Sequence, residues 1–463
     1  MRDLTHRQRK LIYLGGAIVL LIPVVLLGMP ADADGEGGYI AEYRAEEGLG
    51  ETSLGEVDAT SSSMNLMLLG LRGIAANMLW MQADEQKRTK EFADLERTVG
   101  AIIKLQPHYL NVWKFQGWNL AYNVSAEFDS IPDRFYWVKK GAKFMQQGID
   151  RNEDSPELRH DRGDFVGKKI GESDEWRMFR RYFQADPDTE RYAGQPDPEI
   201  NPEGRDNYLV ARDMYQQAND VEASKRAIRQ RKMARVLFRS YPSRAQLDYA
   251  DAMQREGRFD DVDQMKAAWK EGAEMWADIY GRETFAHSIG GRVKLNWTEA
   301  DLLEILAEEN PKRVEAGEAE MDLETKKGYA EDVRKMVNYN YWMQRSSLEG
   351  ESDMIEARRL LYSGKRKLLD EQDLEGSKDD LLAGMELLDS VIKEEKDGEM
   401  LLYERDILED SIKSIIMLEY ILKIFGEELP ESFPLDRIWD DPNNQQAIQE
   451  QRMNFEARIG AGA

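Results

Sequence analysis

The chain has 463 residues and no cysteine, and its 88 acidic side chains outnumber its 63 basic ones, for a formal net charge of -25. The missing thiols exclude disulfides, thiolate metal sites and cysteine nucleophiles. The acidic surface repels phosphate backbones, so we expect no nucleic-acid partner. The chain is longer than one hydrophobic core usually serves, which predicts two or three helical subdomains.

The first element in chain order is a predicted membrane anchor. Residues 1–10 carry four basic side chains and one acid, whereas residues 11–29 carry no charge. A helix of that length covers about 28 Å, close to the hydrocarbon thickness of a bilayer. The charge bias predicts a single-pass protein of the inner (cytoplasmic) membrane, with a basic N-terminal tail in the cytoplasm and the bulk of the chain on the periplasmic side.

Cleavage after Ala33 is the alternative fate of this segment, because residues 31–33 read A-x-A. The apolar stretch exceeds the roughly 7–15 residues of a signal peptide, which favours an uncleaved signal-anchor. Residues 30–58 are rich in glycine and acids and read as a flexible linker.

A second apolar run spans residues 64–81, but Asn65, Arg72 and Asn77 interrupt it. A charge near the middle of a membrane span is costly, so we interpret the run as a buried core helix, with a second span as the alternative. A further helix before residue 107 places Leu95, Val99 and Ile102 on one face.

The rest of the chain predicts helices almost throughout, since alternating strand patterns are essentially missing. Thr298 lies three residues before Asp301 and is a suitable N-cap. The predicted organisation is a helical region at 59–184, a proline-rich linker loop at 185–207, a second helical region at 208–296, a C-terminal helical region at 297–426 and a polar tail at 427–463. Within the C-terminal region, helices are predicted at 353–370, 378–395 and 399–426.

The helix at 399–426 repeats an apolar residue every seven positions, at Leu401, Leu408, Ile415 and Leu422. Such a row is typical of a coiled-coil seam, which predicts a possible homo-oligomer through this helix. A core helix within the chain is the alternative, because charged residues interrupt the seam.

Two stretches resemble tetratricopeptide repeats, in which paired helices stack in series. In AIIKLQPHYLNVWKFQGWNL (residues 101–120), Pro107, Trp113 and Gly117 fall on repeat positions of that family. In YADAMQREGRFDDV (residues 249–262), Gly257 and Phe259 fall on the turn and on the helix-pair contact.

The second helix of the first repeat is expected late, at 135–150, with Gly148 among its close-packing sites, because SAEFDSIPDR is an insertion that departs from the family pattern. The helix LGLRGIAANMLWMQADE also resembles the opening of uncharacterised bacterial membrane-anchored repeat proteins. The fold that follows is all-α: an N-terminal transmembrane helix, a helical-hairpin solenoid and a C-terminal helical subdomain.

The resemblance implies a concave groove that binds a peptide segment. The implied groove residues are Asn111, Lys114, Trp118, Tyr122, Arg244, Leu247, Asp251, Gln254 and Arg255. An alternative role for Trp118 and Tyr122 is a place in the core beneath the inserted loop.

Catalytic motifs are missing from the sequence: it contains no Walker loop, no GxSxG and no HExxH. His160, Asp161 and Asp164 offer donors for a base or a hard metal, but such groups are common on surfaces. The acidic stretch 186–197 lacks the EF-hand spacing. We therefore assign no catalytic residue, metal ligand or cofactor.

Two functions follow as hypotheses. The first is a membrane-anchored, non-enzymatic scaffold that binds a protein or an exported polypeptide in the groove. The second is an envelope enzyme that acts on glycan or lipid through carboxylates. An enzyme should show converging carboxylates with raised pKa in a closed pocket, and a scaffold an open groove lined by polar and aromatic groups.

Overall fold

The structure is a computed structural model that describes residues 72–394 and 405–461, with short pieces at 15–16, 19–20, 22–23 and 38–39. Apart from those pieces, the predicted tail (1–10), anchor (11–29) and linker (30–58) lie outside the described residues. Among the helices that the structure describes, none combines the length and the apolar character needed to cross a membrane.

The described part is helical almost throughout, as the sequence predicts, and the exception is one β-hairpin. The helices are α1 Arg72–Arg88, α2 Phe92–Leu105, α3 Leu110–Trp118, α4 Ile131–Arg151, α5 Pro156–Asp164, α6 Ile170–Glu172, α7 Trp176–Gln184, α8 Thr189–Tyr192, α9 Asn207–Glu222, α10 Arg235–Arg239, α11 Tyr241–Arg255, α12 Val262–Glu274, α13 Glu299–Glu315, α14 Leu323–Met336, α15 Tyr339–Glu349, α16 Ser352–Arg366, α17 Leu374–Glu394, α18 Arg405–Phe425, α19 Asp436–Asp440 and α20 Gln445–Ala461. Helices α3, α5, α12 and α16 each continue into a short π-helical segment, at Asn119–Val124, Phe165–Lys169, Met275–Tyr280 and Lys367–Glu371.

The chain divides into two compact units. The first comprises Met1–Glu127 and Lys143–Glu153, and the second comprises Phe128–Ala142 and Asp154–Ala463. The predicted linker at 185–207 therefore lies inside the second unit.

In the first unit, α1 and α2 pack as a hairpin. The predicted face of α2 is confirmed, because Leu95, Val99 and Ile102 are buried. Helix α1 buries only a narrow strip, since Ala83 is covered while Met81 is 74% exposed. The core-helix interpretation of residues 64–81 is therefore only partly right for the described residues of α1.

The turn between α2 and α3 explains the spacing of Pro107 and Trp113. The buried Trp113 indole donates a hydrogen bond from Nε1 to the Pro107 carbonyl over 2.8 Å. Asn152 donates to the same carbonyl over 3.2 Å and to that of Gly148 over 2.9 Å. A Cβ at Gly148 would lie 2.9 Å from the Trp113 ring, so the helix at 131–151 can approach only with glycine there. Gly117 is also buried.

The second unit contains a feature that the sequence did not predict, a β-hairpin of β1 Thr284–His287 and β2 Gly291–Lys294. The strands are antiparallel, with Thr284 opposite Lys294 and His287 opposite Gly291. The fully buried Lys326 donates to the Gly290 carbonyl over 2.6 Å and thereby fixes the turn. The predicted helical region at 208–296 is therefore helical only in part, and the expected absence of strands was wrong.

The predicted C-terminal helices are confirmed as α16, α17 and α18, the last as far as the described residues reach. Thr298 and Asp301 form a reciprocal capping box at the start of α13. The seven-residue row of α18 lies inside the chain's own core, where Ile415 and Leu422 are buried. Leu401 lies outside the described residues. The core-helix alternative therefore describes this row better than an exposed seam does.

Two predicted segments differ from the structure. The polar tail contains α20, which packs on α18 because Ile448 is buried and Phe455 contacts Tyr420 edge-on at 5.5 Å. The predicted linker loop at 185–207 contains the short helix α8 and is fixed to the second unit, because Asp186 and Asp197 are buried and both bind the Lys139 ammonium.

The α11–α12 turn contains Gly257 in the left-handed region, with φ of 71°. The Tyr362 ring from α16 packs directly on its Cα, and Phe259 lies against the same ring with centroids 5.8 Å apart. Glycine is needed here both for the backbone conformation and for the close approach of α16.

We expect Gly257→Ala to destabilise the second unit by about 2–4 kcal/mol, because strain at positive φ adds to overlap with the Tyr362 ring. Gly426 is the matched control, since its φ is 74° but no heavy atom of the described residues lies within 4 Å of the position that a Cβ would occupy. Gly426→Ala should cost only the strain of about 1–2 kcal/mol. Urea unfolding of both variants measures the difference, and equal costs would contradict the role of Tyr362.

Candidate functional site

The candidate site is one face of α11. Arg244, Asp248, Asp251 and Arg255 follow one another at steps of four, three and four residues, which places them on one side of a helix. At helical rise the row is about 16 Å long. The opposite side of α11 is buried in the core of the second unit.

An aromatic side chain lies at each end of this row. The Arg255 guanidinium is 5.0 Å from the Trp176 ring centre at the start of α7. The Arg244 guanidinium is 5.9 Å from the Trp342 ring centre on α15. Both tryptophans are half-buried, so part of each indole remains accessible.

Hydrogen bonds fix the cationic end of the row. Arg255 donates to the Tyr208 hydroxyl over 3.1 Å and pairs with Asp251 over 3.1 Å. Helix α7 is held beside α11 by Arg180, whose Nε donates to Glu256 over 2.6 Å. These contacts position Trp176 without using the Asp248 carboxyl.

Asp248 has an unusual electrostatic setting. Burial raises its pKa to about 7, and the nearby carboxylates of Glu172 and Asp251 add to the rise, against the opposing charges of Arg244 and Arg255. Within the described residues, the Asp248 carboxyl makes no hydrogen bond or ion pair. The Asp248 carboxyl is therefore strongly desolvated, although its side chain is only half-buried.

We call this surface the α11 recess. Its members are Glu172, Trp176, Arg244, Asp248, Asp251, Arg255 and Trp342. It presents cationic, anionic and aromatic groups together, and near neutral pH one of its acids exchanges a proton. Such a surface can pair with charged side chains or a peptide backbone, and it can also transfer a proton.

Of the groove residues expected in the second unit, Arg244, Asp251 and Arg255 belong to the recess, and two do not. Leu247 is fully buried, and its side chain fills the space above Gly272. Gln254 is also buried and donates to Glu349 over 3.1 Å. Both point to the core side of α11, so their assignment to a groove was wrong.

The groove residues expected in the first unit are accessible to different degrees. Asn111 is exposed, and Lys114 is half-buried. Trp118 is 46% exposed and stacks on the half-buried Tyr122 with ring centres 5.4 Å apart. The Lys87 ammonium lies 5.5 Å from the Trp118 ring. The core alternative is therefore wrong for Trp118.

The cluster of His160, Asp161 and Asp164 has its donor atoms within 4.8 Å of one another, a spacing that suits a metal ion. The Lys232 ammonium occupies the centre instead. It bonds to Asp161, to Asp164 over 2.5 Å and to His160 Nδ1 over 3.0 Å. The Lys232 ammonium therefore provides the positive charge that a metal ion would otherwise provide.

The surroundings of His160 point to a structural role. Burial lowers its pKa, and its ring lies between Phe238 at 4.8 Å and Tyr241 at 4.3 Å. Asp164 remains ionised: burial alone would raise its pKa, but its contact with His160 and the charge of Lys232 hold that pKa far below the usual range. A neutral imidazole packed among aromatic rings is a core residue rather than an accessible base.

Sequence reasoning missed Asp248, Glu172 and the two tryptophans of the recess. The helical period from Arg244 would have found Asp248, because a step of four residues reaches it directly. Glu172 and Trp342 come from helices far away in the chain, and no local pattern connects them to α11.

Comparison with protein-family models finds no match for this chain. Comparisons with curated proteins and with solved structures find none either.

The recess predicts a specific dependence of stability on pH. The pKa of Asp248 is about 7 in the folded state and about 3.9 in the unfolded state. Between about pH 4 and pH 7 the folded state therefore binds more protons at this residue than the unfolded state does. Stability should therefore fall as the pH rises from about 4 to about 7 and stay reduced above that.

Asp248→Asn should remove this component, so that the variant melts above the wild type near pH 8 and close to it near pH 4. Thermal unfolding measured across this range tests the prediction. Asp260, an exposed acid after the Gly257 turn, provides the control variant Asp260→Asn. Parallel curves for wild type and Asp248→Asn would contradict the raised pKa.

Proposed function

We propose that the chain is a membrane-anchored helical scaffold on the extracytoplasmic side, and that it binds a protein partner or an exported polypeptide in the α11 recess. In this proposal residues 11–29 form the anchor, and the helix pairs at Pro107 and Gly257 are tetratricopeptide-like hairpins. Anchoring raises the effective concentration of the recess near membrane partners.

The observation that carries the proposal is the composition and accessibility of the recess. Arg244 and Arg255 suit carboxylates and backbone carbonyls, Asp248 suits a lysine or an amino group, and the tryptophans offer apolar area. The Asp248 carboxyl is unpaired within the described residues. A cationic group of a partner would restore its ionised state.

Asp248 also gives the enzyme hypothesis a specific basis. A carboxyl that is still protonated near neutral pH, with the ionisable Glu172 and Asp251 nearby, is the arrangement that acid/base catalysis on a glycan uses. The two functions differ in what Asp248→Asn would abolish. Loss of Asp248 should weaken capture by a scaffold only partly, whereas it should stop turnover by an enzyme.

Site-specific photo-crosslinking in intact cells tests the binding proposal. A photoreactive residue at the exposed Glu172 should yield a discrete polypeptide adduct, whereas the same group at Lys270, an exposed residue of α12, should not. When Arg244→Gln is added to the protein that carries the photoreactive residue at position 172, the yield of the adduct should fall about tenfold, because a charge-assisted hydrogen bond is lost.

Lys270→Gln is the matched control and should leave the adduct unchanged. Equal adducts from positions 172 and 270, or an adduct that is insensitive to Arg244→Gln, would contradict binding in the recess.

The topology is testable because the natural chain contains no cysteine. In Asp260→Cys, a membrane-impermeant maleimide should label the protein in cells whose outer membrane has been permeabilised. In Thr5→Cys it should label only after the inner membrane is broken. Labelling of both positions under the same conditions, or recovery of the chain in the soluble fraction, would contradict the anchored arrangement.

A further inference from the structure

The loop between α9 and α10 is strongly basic. Residues 225–232 read KRAIRQRK and contain no acid, in a chain whose net charge is -25. Lys232 is half-buried and binds the acids of α5 described above, whereas the other four basic side chains are exposed. These four are Lys225, Arg226, Arg229 and Arg231. We call residues 225–231 the basic loop.

Hydrogen bonds fix the backbone of the basic loop to the region where α5 begins. The Ile228 N–H donates to the Asp154 carbonyl over 2.8 Å, and the Arg231 N–H donates to the Glu157 carboxylate over 2.6 Å. The ammonium of the next residue, Lys232, is bound by the acids of α5. The loop is therefore held at a defined place on the second unit.

Gln230 fixes the turn at the end of the basic loop. Its side-chain oxygen accepts hydrogen bonds from the N–H groups of Lys232 over 3.1 Å and Met233 over 3.3 Å. Its side-chain nitrogen donates to the Met233 carbonyl over 2.9 Å. The backbone is therefore bonded on both sides of Gln230, which holds the run of charges in one conformation.

The four exposed cations have no partner in the described part of the chain. Their side chains make no ion pair and no hydrogen bond there. Acids next to the loop are engaged by other residues, since Asp161 and Asp164 bind Lys232, and Glu222 pairs with Arg235 over 2.8 Å. These carboxylates therefore do not cancel the positive field of the loop.

An apolar side chain lies among these charges. Ile228 is 44% exposed, although its N–H is bonded to Asp154. Basic residues around an exposed aliphatic group suit an anionic bilayer surface. The charges meet the lipid headgroups there, and the aliphatic group enters the boundary with the acyl chains.

We propose that the basic loop is a membrane-contact site that binds the anionic headgroups of a bilayer surface. Each basic residue near such a surface favours the contact about fivefold, and the loop supplies four of them. The loop is a second contact with the membrane, besides the anchor at residues 11–29, and it holds the second unit against the bilayer.

An acidic polypeptide is the competing ligand. Recognition of individual carboxylates uses guanidinium groups that hydrogen bonds have already positioned. The side chains of the basic loop have no such bonds among the described residues, which suits the diffuse charge of lipid headgroups instead. Long phosphate polymers are disfavoured as well, because the net charge of -25 repels them.

The proposal rests on the membrane location proposed above, but not on binding in the α11 recess. The anchor and the basic loop can fail separately. Vesicles of neutral lipid retain the protein only through the anchor, whereas contact by the basic loop requires anionic lipid.

Fluorescence quenching in vesicles tests the proposal. In the full-length protein, Ser224→Cys places a single thiol beside the basic loop, because the natural chain has no cysteine. An environment-sensitive fluorophore on this thiol is quenched by a nitroxide on the lipid headgroups when the loop lies on the bilayer. The protein is reconstituted in phosphatidylcholine vesicles with or without phosphatidylglycerol.

We expect strong quenching at position 224 with phosphatidylglycerol, little without it, and loss of quenching at high salt, because salt screens the attraction. The same fluorophore on Asp260→Cys, at an exposed position outside the loop, should remain unquenched in both kinds of vesicle.

Arg226→Gln combined with Arg229→Gln should lower the ratio of bound to free loop about 30-fold, because two favourable charges are lost. Both arginines are exposed, so the melting temperature in detergent should not change. Lys270→Gln combined with Lys335→Gln is the control, since it removes the same net charge from exposed residues of α12 and α14. It should leave the quenching unchanged.

Quenching that is equal at positions 224 and 260, that does not require phosphatidylglycerol, or that survives the double arginine variant would overturn the proposal. A photo-crosslink from position 224 to a polypeptide in intact cells, without quenching in anionic vesicles, would also overturn it and would assign the loop to an acidic protein. Release of the protein from neutral vesicles, with position 224 still quenched in anionic ones, would contradict the anchor and support the basic loop.

Discussion

The fold of the second unit depends on charges buried in pairs, and Glu349 is the centre of one such group. Its fully buried carboxylate accepts hydrogen bonds from Arg358 over 2.5 Å and from Gln254 over 3.1 Å, and Arg345 lies 3.9 Å away. Arg345 in turn bonds to Asp251 over 2.6 Å. These contacts join α11, α15 and α16, and loss of one partner would leave an uncompensated buried charge, which typically costs several kcal/mol.

The same principle explains why acidic clusters that resemble metal sites carry lysine instead. The carboxylates of the 186–197 loop and of the His160 cluster each surround one ammonium, from Lys139 and Lys232. The sequence shows the carboxylates, because they are close neighbours in the chain. It does not show the lysine, which comes from 47 residues away in the first case and from 71 in the second. Long-range charge pairing is therefore the part of the chemistry that single-sequence reasoning misses.

In contrast, structural features that depend on interactions between residues close in the chain could largely be predicted from the sequence. The buried face of α2, the capping box at Thr298 and the C-terminal helices follow from apolar period and cap chemistry, which act within a few residues. The hairpin at 284–294 was missed because its strands are four residues each and its turn is held by Lys326. Helix α20 was missed because it is polar overall, and only its packing on α18 reveals the role of Ile448 and Phe455.

Both local patterns and long-range contacts determine the α11 recess. A family template predicted Arg244, Asp251 and Arg255 but also the core residues Leu247 and Gln254, because it fixed offsets rather than the direction in which each side chain points. Asp251 shows what that direction implies, since it faces the recess and also pairs with Arg345 of the Glu349 group. A cationic ligand that binds Asp251 must therefore compete with a buried arginine. Asp248, which has no such partner among the described residues, is the acid that remains available to a ligand.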